Sequence, residues 1–431
     1  MSALIAATAF AATVAAGQDL RKARVAEWKP IVAKFQKPSA LRAAWQLSNS
    51  VALYVLLWFL MYWSLKISHL LTLSLTILSG AVVVRVFIIM HDCGHGSFLK
   101  SKLANDIVGF VAGIVVFTPY YHWRWEHSLH HASSGDLDRR GTGDVWTMTV
   151  QEYLDSSRWM HFVYRLARNP FVLLVIAPVF LFVFRQRFSS RKAKSRERWS
   201  VWWTNLGILS MALTLSWVFG WKMYLFIQLL ITTVAGAIGI WMFYVQHQFD
   251  GAYWERGEAW DYTVAALQGS SFYRLPKILQ WFSGSIGFHH IHHLSPRIPN
   301  YNLERCHRAH PIFQDVKPVT LRSSLNSARL HLWDEERRKL ISFRHLKRLQ
   351  KRGAYTGERT EPSARSPSVL AHYFTLTSIA FDLAIGVVGR CTFSTPSRNS
   401  AVTFVLSASS GSVKLRRKLP KERSMRWNFL F

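Results

Sequence analysis

The chain has 431 residues, half of them apolar, with 19 Trp, 28 Phe and 14 Tyr; that is one large domain or two ordinary ones, with an aromatic load that suits a membrane interface. Lys and Arg outnumber Asp and Glu by 53 to 24, a formal charge of +29, but the basic residues gather between long apolar runs, which argues for cytoplasmic loops and anionic lipid and against nucleic acid. The three cysteines, Cys93, Cys306 and Cys391, include no CxxC pair, which argues against a disulfide framework or a thiolate metal site.

The first element is the apolar, Ala-rich stretch Ala3 to Gly17. It is followed, not preceded, by Arg21, Lys22 and Arg24, so an interfacial helix or a misplaced start is the expectation rather than a cleaved signal. With Lys29, Lys34 and Lys37, these residues place the segment 1–42 on the cytoplasmic side. Four apolar runs then have the length of membrane spans, at about 50–66, 70–90, 200–219 and 222–245. Two more, about 104–119 and 170–184, are short, and Pro178 interrupts the second. They are expected to be re-entrant or interfacial.

The fold class that follows is an all-α integral membrane protein. It has four transmembrane helices in two hairpins, two short re-entrant or interfacial segments, and a cytoplasmic helical cap. The basic loop 185–199 is cytoplasmic, so an even number of crossings separates each His-rich segment from the next. After His310, apolar residues from Leu321 to Leu346 fall mostly at helical spacing opposite a face rich in Arg and Lys, which predicts one amphipathic cytoplasmic helix. The membrane domain is expected over 43–352, and 353–431, rich in Ser, Thr, Arg and Pro, as a disordered extension.

Eight of the 18 histidines fall in three boxes, HDCGH at 91–95, HSLHH at 127–131 and HHIHH at 289–293. Residues three and four apart share a helix face. His91 and His95 therefore stand together, as do His127, His130 and His131, and His289, His292 and His293. His290 points away. A random chain of this composition would hold about 0.7 HxxxH matches but only about 0.03 HxxHH matches, so the two HxxHH boxes carry the signal. Imidazoles gathered on one face are tolerated in the neutral form that binds metal. Eight exceed what one ion uses, so two ions are implied, and imidazole suits Fe, Zn, Cu and Ni alike.

The strings HDCGHGSF, WRWEHSLHHASSGDLDRRGTGDVW and IGFHHIHHLSPRIPNYNLERCH, with the box order and hairpin topology, resemble the membrane fatty-acid desaturases over about residues 40–350, and their acyl-lipid, delta-12/omega-3-like branch in particular. The resemblance implies a di-iron centre with O2 as co-substrate and two electrons from a separate ferredoxin or cytochrome b5 type donor. The product would be a cis double bond in an acyl chain. The ligands it implies are His91, His95, His127, His130, His131, His289, His292 and His293, with His247 of YVQHQFD as a ninth. It also implies a bacterial-type cytoplasmic membrane with the active site on the cytoplasmic side.

Asp92, Glu126, Asp136, Asp138, Asp144 and Asp250 lie beside the boxes, and at least one is expected to orient a ligand imidazole. Trp123, Arg124 and Trp125 read equally as interfacial anchors or substrate contacts, and Arg297, Asn300 and Asn302 as loop packing. Two alternatives compete: a hydroxylase or ketolase of the same superfamily acting on alkane, carotenoid or sphingoid substrates, and a membrane metal carrier. The carrier would need ionisable residues along the spans, where Arg85 is nearly alone.

Overall fold

A computed structural model describes residues 28–355, 403–409 and 412–418. It divides into two units, Met1–Arg365 and Ser366–Phe431. In the first, α1 spans Ala40–Ser64 and α2 His69–Gly94. Next come α3, Lys102–Val115, and α4, Tyr120–Ser133, then the short strand β1, Met148–Thr149, and α5, Arg158–Ala167. The long helices α6, Ser195–Phe219, and α7, Trp221–His247, follow. After β2, Phe272–Arg274, come α8, His289–Leu294, and α9, Asn300–Ala309. The unit ends with strands β3, Pro318–Thr320, β4, Leu332–Asp334, and β5, Lys339–Ile341, and helix α10, Phe343–Lys351.

Helices α1, α2, α6 and α7, of 25 to 27 residues, are the described helices long and apolar enough to cross a bilayer as single pieces. Ser39 and Ser68 cap the first two through their side-chain oxygens. Helix α2 is central, with 61% of its most apolar window buried against 11% for α6. Exposed Trp45 and Trp63 of α1, and Trp202 and Trp217 of α6, form two aromatic belts. Eighteen and fifteen residues apart, they are separated by about 27 and 22 Å along their axes, close to the apolar thickness of a bilayer.

The two short apolar runs turn instead of continuing straight. Helices α3 and α4 meet at 101°, and α5 meets the helical stretch Val172–Arg187 at 60°. Pro178 has no N–H to give, and the chain on either side of it winds as π-helix, Val172–Ile176 and Phe180–Phe184.

The amphipathic helix expected over Leu321–Leu346 does not form. Leu332 pairs with Ile341, Trp333 with Leu340 and Asp334 with Lys339 in an antiparallel β4–β5 pair, and β1 adds to β4 in parallel. Leu332, Trp333 and Asp334 are all buried, so both faces of β4 are covered, and the intervening charges form the turn, with Arg338 at φ +49°. Asp334 accepts from Arg337 N–H at 3.0 Å and Tyr355 O–H at 2.9 Å. Helical spacing there came from two strands joined by a charged turn.

In the second unit β6, Thr403–Ser409, pairs antiparallel with β7, Ser412–Lys418. The rest of the extension beyond Tyr355, Cys391 and the stretch Ala3–Gly17 lie outside the described residues.

Candidate metal centre

Helices α2 and α7 run side by side and end at the same level, where His91, His95 and His247 emerge. Helices α4 and α8 bring the second and third boxes to that end. The nine histidines form two groups: His91, His95, His127, His131 and His292, and His130, His247, His289 and His293. Within each group one ring nitrogen per residue lies within 4.8 Å of the others.

Neither HxxHH box serves a single group. At about 100° per residue, positions i and i+4 diverge by about 40°, while i+3 lies about 60° to the other side. Thus His127 and His131 face one group and His130 the other, and His289 and His293 separate from His292 in the same way. His290 points elsewhere, as its register predicts. Its Nε2 donates to the Phe313 carbonyl at 3.1 Å and lies 3.1 Å from His307 Nδ1, and burial, then His307, pushes its pKa down to about 3.

The donor set fits metal. His127 and His292 Nε2 stand 3.1 and 3.0 Å from His131 Nε2, and His130 and His289 Nε2 stand 3.2 and 3.0 Å from His247 Nε2. Metal–imidazole bonds of about 2.1 Å at right angles put neighbouring nitrogens about 3.0 Å apart. The Nε2 atoms of His95 and His293 are buried with no partner among the described residues. Burial first, then the neighbouring imidazoles, holds His127, His131, His289, His292 and His293 well below the usual histidine range. These rings are neutral and free to coordinate.

Two carboxylates orient the rings. Asp92 Oδ1 lies 3.0 Å from His91 Nδ1, and Asp144 Oδ1 lies 2.6 Å from His130 Nδ1. Each fixes the tautomer in which Nδ1–H donates and Nε2 is a lone pair. The loop carrying Asp144 approaches α4 through Gly143, at φ +72°, where a Cβ would come within 3.2 Å of both the Glu126 carbonyl and His130 Cβ. Asp136, Asp138 and Asp250 pair instead with Arg139, Arg256 and Lys317, and Glu126 faces His122 at 3.6 Å. Buried Cys93 stays outside both groups.

Two residues do more than their sequence position suggests. Asn300, expected as loop packing, donates its backbone and side-chain N–H groups to Asp92 Oδ2 at 2.6 and 2.8 Å. Trp123, expected as an interfacial anchor or a substrate contact, lines the cavity beneath the imidazoles and stacks on His127 at 4.5 Å between ring centroids. Beneath the imidazoles a cavity of about 540 Å³ starts at His91, His127 and His289 and runs between α2, α7 and the Pro178 segment as far as Gln228. Its size is that of a small-molecule site, and its lining is mostly apolar.

Four membrane helices capped by two abutting groups of imidazoles, open to an apolar cavity, define a membrane metalloenzyme for an apolar substrate. The family model described as fatty acid desaturase matches residues 67–320, and the chain belongs to that family of oxidoreductases. It is 46% identical over 318 residues to a fatty acid desaturase of Bacillus subtilis (strain 168), covering 74% of this chain and 90% of that one. It is 28% identical to an sn-1 acyl-lipid omega-3 desaturase (ferredoxin) of Nostoc sp. (strain 36), over 56% of this chain and 66% of that one. A third relative, an sn-1 oleoyl-lipid 12-desaturase of Synechocystis sp., is 26% identical over 60% and 75%.

Proposed function

We propose that the chain is an acyl-lipid desaturase that introduces a cis double bond into an acyl chain using O2 and two electrons. The observation that carries the reading is the division of nine imidazoles, seven of them buried, into groups of five and four, each with its carboxylate partner. In this reading His91, His95, His127, His131 and His292 hold one iron, and His130, His247, His289 and His293 the other. Two irons would supply the redox chemistry that activates O2 toward an unactivated C–H bond. The protein's own part is to gather the rings, orient His91 and His130 through Asp92 and Asp144, and lead an apolar chain past them with water excluded.

The membrane domain is assigned to 43–352, with the segment 1–42 and the imidazoles on the cytoplasmic side of a bacterial-type cytoplasmic membrane. The electrons come from a separate ferredoxin or cytochrome b5 type protein. The net charge of +29 favours an acidic donor, and a ferredoxin is named for one relative. The relatives described above are desaturases, which does not favour the hydroxylase alternative.

Lipid analysis of an expressing host tests the reading. New double bonds in host acyl chains are expected; hydroxylated products without new double bonds would overturn it. Iron assay of purified protein should find about two Fe per chain, and zinc alone would count against the centre.

A further inference from the structure

The cavity wall contributed by α7 includes a stripe at three- and four-residue spacing, Gln228, Thr232, Ala235, Gly239 and Met242. Two glycines on this helix behave oppositely. A Cβ on Gly236 would come within 2.7 Å of Pro178 Cβ, so that glycine lets the Pro178 segment close against α7. Both glycines line the cavity, but a Cβ on Gly239 would meet nothing within 4 Å among the described residues. Its missing side chain keeps a passage open where packing between helices does not require it.

The far end is marked differently. Gln228 Nε2 donates to Thr232 Oγ1 at 3.1 Å, while Gln228 Oε1 is buried without a partner among the described residues. One turn further, Tyr224 is buried against Trp58, their rings stacked at 5.9 Å, and it no longer lines the cavity. A polar pair inside an apolar helix is costly unless it is used. An alkyl end pressed against Oε1 would strip it of any remaining partner, so the pair is a poor seat for a methyl group.

We propose that Gly239 admits the methyl-terminal part of the acyl chain and that the Gln228–Thr232 pair ends its path, which makes Gly239 a specificity-determining residue. The inference rests on the desaturase reading above. Gly239 and Thr232 precede His247 by eight and fifteen residues, about 12 and 22 Å along the helix. An extended alkyl chain advances about 1.3 Å per carbon, a C–C bond projected at the tetrahedral angle. The chain therefore passes Gly239 about nine carbons beyond the imidazoles and meets the polar pair at about seventeen.

The test has two arms. In the first, a host fed saturated acids of graded length expresses the unaltered protein or Gly239→Leu, and double-bond positions are read by mass spectrometry. The unaltered protein should leave more than about nine carbons beyond the new bond, more than the omega-3 position of the branch it resembles would leave, and Gly239→Leu should cap that number at about nine or fewer. Unchanged positions, or an unaltered protein that never exceeds nine, overturn the proposal. In the second, purified Gly239→Cys is alkylated with and without saturated fatty acids. Long acids should slow modification at least tenfold and octanoic acid should not; equal rates overturn the proposal. Protection without any new double bond in the first arm would keep the passage and reject the desaturase reading.

Discussion

The carboxylate of Asp144 lies 2.6 Å from Nδ1 of His130 and accepts on its other oxygen from the Gly141 N–H at 3.2 Å. The loop is thereby tied to the ring it orients. Asp144→Ala removes the acceptor and leaves Nδ1–H unsatisfied in a buried site. Asp144→Asn keeps the shape and loses the charge. Loss of such an outer partner costs about 10–100-fold in metal affinity, and chelator competition should show the larger loss for Ala. Equal iron retention in both variants and the unaltered protein would remove Asp144 from the centre.

Asp92 is held from the opposite side of the sequence. Asn300 supplies two N–H groups to its Oδ2, 208 residues away in the chain. Asn300→Ala should weaken iron binding less than Asp92→Ala, because the backbone N–H remains. Asn300→Asp places a second carboxylate against Asp92 and should be the worse of the two Asn300 variants. Iron content after dialysis against a graded chelator gives the order, and Asn300→Asp retaining as much iron as the unaltered protein would refute it.

The spans and boxes were legible because they are local. Their signals are a run of twenty apolar residues and an imidazole every three or four positions, and neither depends on the rest of the fold. The split of each HxxHH box between two groups follows from the same helical angles, but which residue joins which group depends on where α4 and α8 dock. His247 had no box of its own and was reached through the resemblance alone. Asn300 carries no local mark, since its partner lies in another helix. The strands β4 and β5 were misread because a charged four-residue turn between apolar pairs imitates helical spacing. Only the pairing with β1 shows that both faces of β4 are covered.

His247 bridges His130 and His289 at 3.2 and 3.0 Å. His247→Ala leaves three imidazoles in that group and five in the other. Metal analysis should fall from about two to about one Fe per chain, with turnover abolished and membrane insertion unchanged. The same fall is expected for His292→Ala through the other group. Two Fe retained in His247→Ala would return that residue to a helix-end role.

His331 gives the cap a pH dependence separable from the metal. It stacks on Phe343 with ring centroids 4.4 Å apart, and burial first, then the nearby Arg168, lowers its pKa from 6.5 to about 4; Arg165 adds to the effect. Between pH 6.5 and 4 the unfolded chain takes up a proton at this ring that the folded chain refuses. Stability therefore falls as pH drops through that window and levels off below it. The contribution is about 3 kcal/mol at most. His331→Phe cannot titrate, so the difference in thermal stability between the metal-loaded unaltered protein and this variant should be constant above pH 6.5. It should then shift in favour of the variant down to pH 4. A difference that does not change with pH would show that His331 takes up its proton in the folded cap as readily as in the unfolded chain.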